Sequence, residues 1–156
     1  MIPAKCYLKP PRVCGPAAIL RFLEEKPMSV LTKAVVTTIL PVKDMARARE
    51  FYENKLGLQP KGFAADGNYL FACGGDAHIA LITKPEGTKA EHTALSFEVR
   101  GIERVISELK AEGIVFEDYD FPNLRTVDHV CVLGSEKAAW FKDSEGNYLC
   151  VHEGPD

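Results

Sequence analysis

The stretch LPVKDMARAREFYENKLGL, Leu40–Leu58, holds the end of a strand, a helix and the helix's exit. Asp44 stands where an N-cap belongs, just before Met45, Ala48, Phe51, Tyr52 and Leu56 recur on one helical face. Gly57 follows as the residue able to close the helix in a left-handed conformation. Upstream, AVVTTILPV (34–42) is β-branched and apolar, the pattern of a buried strand. Downstream, three short strands are expected at Leu58–Phe63, Asn68–Cys73 and His78–Thr83. Turns at Gly67 and Gly74-Gly75 separate them, and the loop Lys84-Pro85-Glu86-Gly87 ends the unit. The order is β-α-β-β-β.

The same order recurs. ALSFEV reads as a strand, Ile102, Val105, Ile106 and Leu109 as a helical stripe, and Gly113 as its cap. Strands are expected at Ile114–Tyr119, near Val130–Leu133, at Ala138–Lys142 and at Tyr148–His152, with Asp120–Asp128 as the least regular segment. A shift of 57 residues lays Val42 on Val99, Lys43 on Arg100, Met45 on Ile102, Arg47 on Arg104 and Ala48 on Val105. One deletion then brings Gly57 onto Gly113. Neither copy is large enough to bury its own sheet face, so two copies are expected to close a curved sheet around a shared cavity.

The repeat occupies 33–156, with module one at 33–87 and module two at 90–154. Residues 1–32 differ: a Pro- and Gly-rich arm precedes AAILRFLEE, where Ala18, Ile19, Phe22 and Leu23 give a short amphipathic helix stopped by Pro27. This extension is expected to lie over the domain or a neighbouring subunit. The chain has 156 residues, 46% hydrophobic and 26% charged, with a net charge of -3. Those values suit one globular domain or two very small ones and give no argument for an acidic tail or electrostatic steering. Basic residues are scattered singly, which argues against nucleic acid, and no apolar run approaches the ~20 residues that span a bilayer. Five widely spaced cysteines without a CxxC point to reduced thiols in a cytoplasm. Lys9, Pro10, Pro11 and Arg12 fall where a signal peptide would need an apolar core.

Three segments carry a family resemblance. LPVKDMARAREFYENKLGL and ALSFEVRGIERVISELKAEGI resemble the first-helix signatures of the two modules of the glyoxalase / bleomycin-resistance / extradiol-dioxygenase superfamily, the vicinal oxygen chelate proteins. WFKDSEGNYLCVHE is similar to that family's closing hairpin and last strand, with Ser144 in place of the usual Pro. The resemblance spans about 34–153. It implies an α+β fold in which two βαβββ modules form an incomplete β-barrel, commonly as a homodimer. It also implies a position for the metal that many members hold with His or Gln, Glu, His and Glu. Counting five residues back from Val42 gives Thr37, and IALITKP places Ala80 where the family's Glu stands. Counting back from Val99 gives Ala94, and the last strand gives Cys150. A register two residues away would use His92 instead. Two alanines offer no donor, so no family metal and no cofactor are expected.

Other readings of the same residues stay open. His92 lies two residues before Ala94, His152 two after Cys150 and His78 two before Ala80, so each shares a face with its neighbour. Together with Cys150 they compose a displaced Zn²⁺ site, or Cys150 is a nucleophile with His92 or His152 as base; ordinary packing is the commoner role of each. Among the strand aromatics Tyr69, Phe71, Phe116, Tyr119, Trp140 and Tyr148, Trp140 and Phe71 are expected to line a ligand pocket. The acidic run Glu117–Asp120 reads as a solvated loop face, or as a group that recognises a cationic ligand. The leading expectation is a protein that binds a small molecule without metal, resembling the family's drug-sequestering branch. Its cavity is expected to hold Thr37, Phe71, Ala80, His92, Ala94, Trp140, Tyr148, Cys150 and His152. The rivals are a metal-dependent lyase, isomerase or dioxygenase with an atypical ligand set, and a scaffold whose cavity is vestigial.

Overall fold

Strand β1 (Thr37–Val42) leads into α1 (Met45–Glu50), and β2 (Gln59–Phe63), β3 (Tyr69–Ala72) and β4 (His78–Thr83) complete module one. Module two comprises β5 (Thr93–Glu98), α2 (Ile102–Ala111), β6 (Phe116–Glu117), β7 (Asp120–Phe121), β8 (Leu124–Val127), β9 (Val130–Leu133), β10 (Glu136–Lys142) and β11 (Tyr148–Glu153). These elements come from a computed structural model that describes residues 30–155. The expected N-terminal arm and its helix lie outside the described residues, as do Cys6 and Cys14. The chain divides between Ala34 and Val35 into two compact units; the described part of the first is a 3₁₀ turn, Val30–Lys33. Among the described residues no helix is long and apolar enough to cross a membrane.

The internal repeat is realised in the sheets. Module one orders its strands β1-β4-β3-β2, with β1 parallel to β4. Module two orders β5-β11-β10 in the same sense, with β5 parallel to β11, and then divides the outer edge of β10. Trp140 and Phe141 pair with β6, whereas Glu136–Ala138 pair with β9. The sheets are open, as an incomplete barrel requires. One core spans both modules, with Leu40, Tyr52, Phe71 and Leu81 packed in the same cluster as Ile102, Phe141 and Leu149.

Three expected elements differ in detail. The helix stripe through Leu56 is helical, but α1 gives way to a π-helical turn at Phe51–Lys55, closed by Leu56 N donating to Phe51 O at 3.1 Å. The wider turn lets the consecutive rings of Phe51 and Tyr52 both enter the core. The strand expected at Ile114–Tyr119 contracts to Phe116–Glu117, because β9 has taken the rest of the β10 edge. Asp120–Asp128, expected to be irregular, is a hairpin: β7 and β8 flank Pro122-Asn123, and β8 and β9 flank Asp128-His129.

The turn Asp143–Asn147 fastens the modules together. The Glu145 carboxylate accepts from Lys43 N at 2.8 Å, Asp44 N at 3.1 Å and Arg47 Nε at 2.7 Å, at the entry to α1. Asp143 accepts from Tyr52 OH at 2.8 Å and from Asn147 Nδ2, whose amide also donates to Pro41 O. Gly146, with φ of 88°, makes the turn that aims these groups inward. At the other helix, Glu153 accepts from Gly101 N and Ile102 N. A carboxylate from module two therefore caps the orphan amides at the start of each helix.

Candidate functional site

Pleating sorts β11 into two rows. Leu149 and Val151 enter the core, leaving Tyr148, Cys150 and His152 on the opposite, open face. Strand pairing adds neighbours to that face: Trp140 stands beside Cys150, Ala138 beside His152 and Lys142 beside Tyr148. From β5, Ser96 stands beside Cys150 and Glu98 beside His152.

Ser96 links the thiol to the imidazole. Its Oγ lies 2.8 Å from His152 Nδ1, and its Cα stands beside that of Cys150 in the strand pairing. Burial pushes the Cys150 thiol up, while the bonds from Ser96 and the Ala139 backbone pull the other way. The thiol is 4% exposed and donates to Val151 O at 3.3 Å. Cys150 is therefore a packed group whose burial disfavours the thiolate that a nucleophile needs.

Aromatic rings bound the site. Trp140 Nε1 donates to Thr93 Oγ1 at 3.0 Å, which fixes the indole, and Tyr119 meets it edge-on with centroids 5.7 Å apart. Phe121 stacks on Tyr119 at 6.0 Å. Lys142 Nζ lies 4.6 Å from the Tyr148 ring centre and 3.5 Å from the Glu117 carboxylate. Trp140 and Tyr148 are half-buried, which leaves ring surface for a ligand. A cavity of about 350 Å³ opens where β4 and the Cys73–Ala77 turn meet β5, with His78, Ser96 and Glu98 among its walls.

The expected site residues separate into groups. Trp140, Tyr148, Cys150 and His152 share the open face of module two. Thr37 and Ala80 share a face of module one, on a sheet with no hydrogen-bonded edge to module two. Thr37 stands two residues before Ile39, the partner of Ala80, and Ala94 two before Ser96, the partner of Cys150. The offset is thus identical in both modules. His92 is exposed and lies in the bend before β5, because the strand begins only at Thr93. Phe71 is a correction. It is fully buried against Tyr52 and Tyr69, since Leu70 and Ala72 take the opposite face of β3. Sequence reasoning missed Ser96, Glu98 and Lys142, although alternation from Ala94 and from Trp140 places them on the faces already identified.

A divalent cation does not fit Thr37, Ala80, Ala94 and Cys150, the positions that the resemblance implies. Ala80 and Ala94 present methyl groups, Thr37 a hydroxyl and Cys150 a packed thiol, so the hard carboxylate and imidazole donors are missing. The displaced set is not gathered either. His78 belongs to the first sheet, His92 is outside the strand and His152 is engaged by Ser96. Among the described residues no three His, Cys, Asp or Glu side chains stand close enough to hold a metal. The acidic run is occupied as well: Glu117 pairs with Lys142, Asp118 with His129 and Asp120 with Arg125.

Comparison with known proteins follows this geometry. The family model described as Glyoxalase/Bleomycin resistance protein/Dioxygenase superfamily matches residues 34–151. No curated protein matches the chain. Among solved structures, a glyoxalase family protein from Bacillus anthracis is similar at 19% identity and a TM-score of 0.62, covering 78% of this chain and 95% of its own. TnmS3, an antibiotic binding protein from Streptomyces sp. CB03234, is similar at 19% identity and a TM-score of 0.57, over 78% and 95%. Lactoylglutathione lyase from Agrobacterium tumefaciens is similar at 20% identity and a TM-score of 0.56, over 78% and 94%. At these identities the likeness is one of fold.

Proposed function

We propose, from the premise that this chain belongs to the glyoxalase/bleomycin resistance protein/dioxygenase superfamily, that it binds a planar small molecule on the open face of module two without a metal. One observation carries the reading: Thr37, Ala80, Ala94 and Cys150, at the positions the resemblance implies for metal ligands, offer no hard donor set, while half-buried Trp140 and Tyr148 flank the last of them. The rings supply contact area at low entropic cost, and Ser96, Glu98, His152 and Lys142 supply polar orientation. A drug-sequestering role is consistent with this chemistry, and the antibiotic-binding relative of the same fold lends it support. Ile39, 58% exposed on the open face of β1, gives reason to read the cavity as completed by a second copy of the chain.

The test combines metal analysis with Trp140 fluorescence. The purified protein should carry less than ~0.1 equivalent of any transition metal, and Zn²⁺, Ni²⁺ or Mn²⁺ should not raise its melting temperature. Titration with bleomycin and a panel of planar aromatic compounds should quench Trp140 saturably for at least one member. A stoichiometric metal abolished by His152→Ala would overturn the reading in favour of an enzyme. A full panel without response would favour a vestigial cavity.

A further inference from the structure

We propose that the groove between α2 and the β8–β9 hairpin is a second ligand site, suited to a small amphiphile with an apolar body and one anionic end. It does not depend on the reading of the open face. Helix α2 packs over β10 and β11, whereas β8 and β9 run on beyond it. Between them lies a groove of about 900 Å³, within the size range of small-molecule sites. Its apolar part is made by Ile106, Val127, Val130 and Val132, of which Val127 is 68% and Val132 65% exposed.

The polar end is built around His129. The ring lies 5.9 Å from Phe116, with Nδ1 3.0 Å from Asp118 and Nε2 3.0 Å from Lys110 Nζ. Lys110 meets an imidazole nitrogen where the other groove cations meet carboxylates: Lys137 with Glu103 at 2.6 Å and Arg125 with Asp120 at 3.4 Å. The lining sets Lys110, Arg125 and Lys137 against Glu103 and Asp128, with Asp118 and Asp120 beside it against His129 and Arg125, so Lys110 is the groove cation that faces no carboxylate among the described ion pairs. The remaining ammonium hydrogens suit an oxyanion, which gains a charge-assisted bond. Asp128 and His129 both hold positive φ, 50° and 71°, in the two-residue hairpin loop. Non-glycine residues keep that conformation where neighbours dictate it, and here Phe116, Asp118 and Lys110 hold the imidazole.

The probes are 8-anilinonaphthalene-1-sulfonate and decanoate, with decyltrimethylammonium as the cationic control. The full chain should bind the sulfonate saturably, and decanoate should displace it while the cation of equal chain length does so at least about tenfold less well. Lys110→Met should weaken decanoate about tenfold, and Lys110→Arg should retain it. Val132→Glu should weaken sulfonate and decanoate alike, and Trp140→Ala should leave the decanoate-displaceable signal in place, with circular dichroism verifying each fold. Equal displacement by decanoate and the cation would overturn the proposal, as would loss of the signal in Trp140→Ala. A dimer that Val132→Glu dissociates would assign the groove to a second copy instead.

Discussion

Ser96 and His152 meet across two neighbouring parallel strands, with the hydroxyl oxygen 2.8 Å from Nδ1. Ser96 also pairs with Cys150, so three polar side chains form one line on a face that carries Trp140 and Tyr148 beside Glu98 and Lys142. Since Ser96 lowers the thiol's pKa against the larger effect of burial, Ser96→Ala should raise it further. Thiolate absorbance near 240 nm, read against a Cys150→Ser blank, should then appear at more alkaline pH. An unchanged titration would show that Ser96 does not act on the thiol.

Tyr52 donates to Asp143 from within the core, and the phenol is held well above its usual pKa, first by burial and then by the Asp143 charge. Tyr52→Phe leaves a buried carboxylate oxygen short of a donor. Urea denaturation should register a loss of about 1–3 kcal/mol. Loss of less than about 0.3 kcal/mol would mean that another donor replaces the phenol.

Burial opposes ionisation of Glu145, yet Arg47 and the Asp44 and Lys43 amides hold its carboxyl below the usual value. A depressed folded-state pKa contributes stability that is complete above the unfolded-state pKa, about 4.3. That contribution disappears as pH falls through the folded-state value. Glu145→Gln should lower the melting temperature at neutral pH and flatten its decline below about pH 4. A parallel decline in both proteins would place the acid sensitivity elsewhere.

Glu153 accepts from the first amides of α2, where Gly101 has no side chain to do so. Glu153→Ala should therefore cost about 0.5–2 kcal/mol, the range of a lost N-cap. Hydrogen exchange should localise the change to the first turn of α2. Uniformly faster exchange through β10 and β11 would point to a wider role in module two.

Periodicity was enough to recognise the modules. Met45, Ala48 and Tyr52, and their counterparts Ile102 and Val105, alternate with polar residues at helical spacing, and the strands carry their own two-residue rhythm. Alternation also placed Tyr148, Cys150 and His152 on one face. It did not separate Phe71 from Trp140, because either face of a two-sided sheet accepts an aromatic ring. Only packing shows that α1 and its π-helical turn cover the face bearing Phe71. The hairpins of β7–β9 were hidden for a different reason. Their loops use Pro122-Asn123 and Asp128-His129, without the glycine that announces a tight turn.

What the sequence by itself determined was the duplicated βαβββ order and the side-chain chemistry of Thr37, Ala80, Ala94 and Cys150: a hydroxyl, two methyl groups and a thiol. Those facts need no coordinates, since an alanine lacks a donor in any fold. What only the tertiary structure decided was which groups now act together. Ser96 reaches His152 through a parallel strand pairing of residues 56 apart, and Lys110 reaches His129 because an added hairpin runs past the end of a helix's cover. Such encounters depend on register and loop path, to which periodicity along one strand is blind.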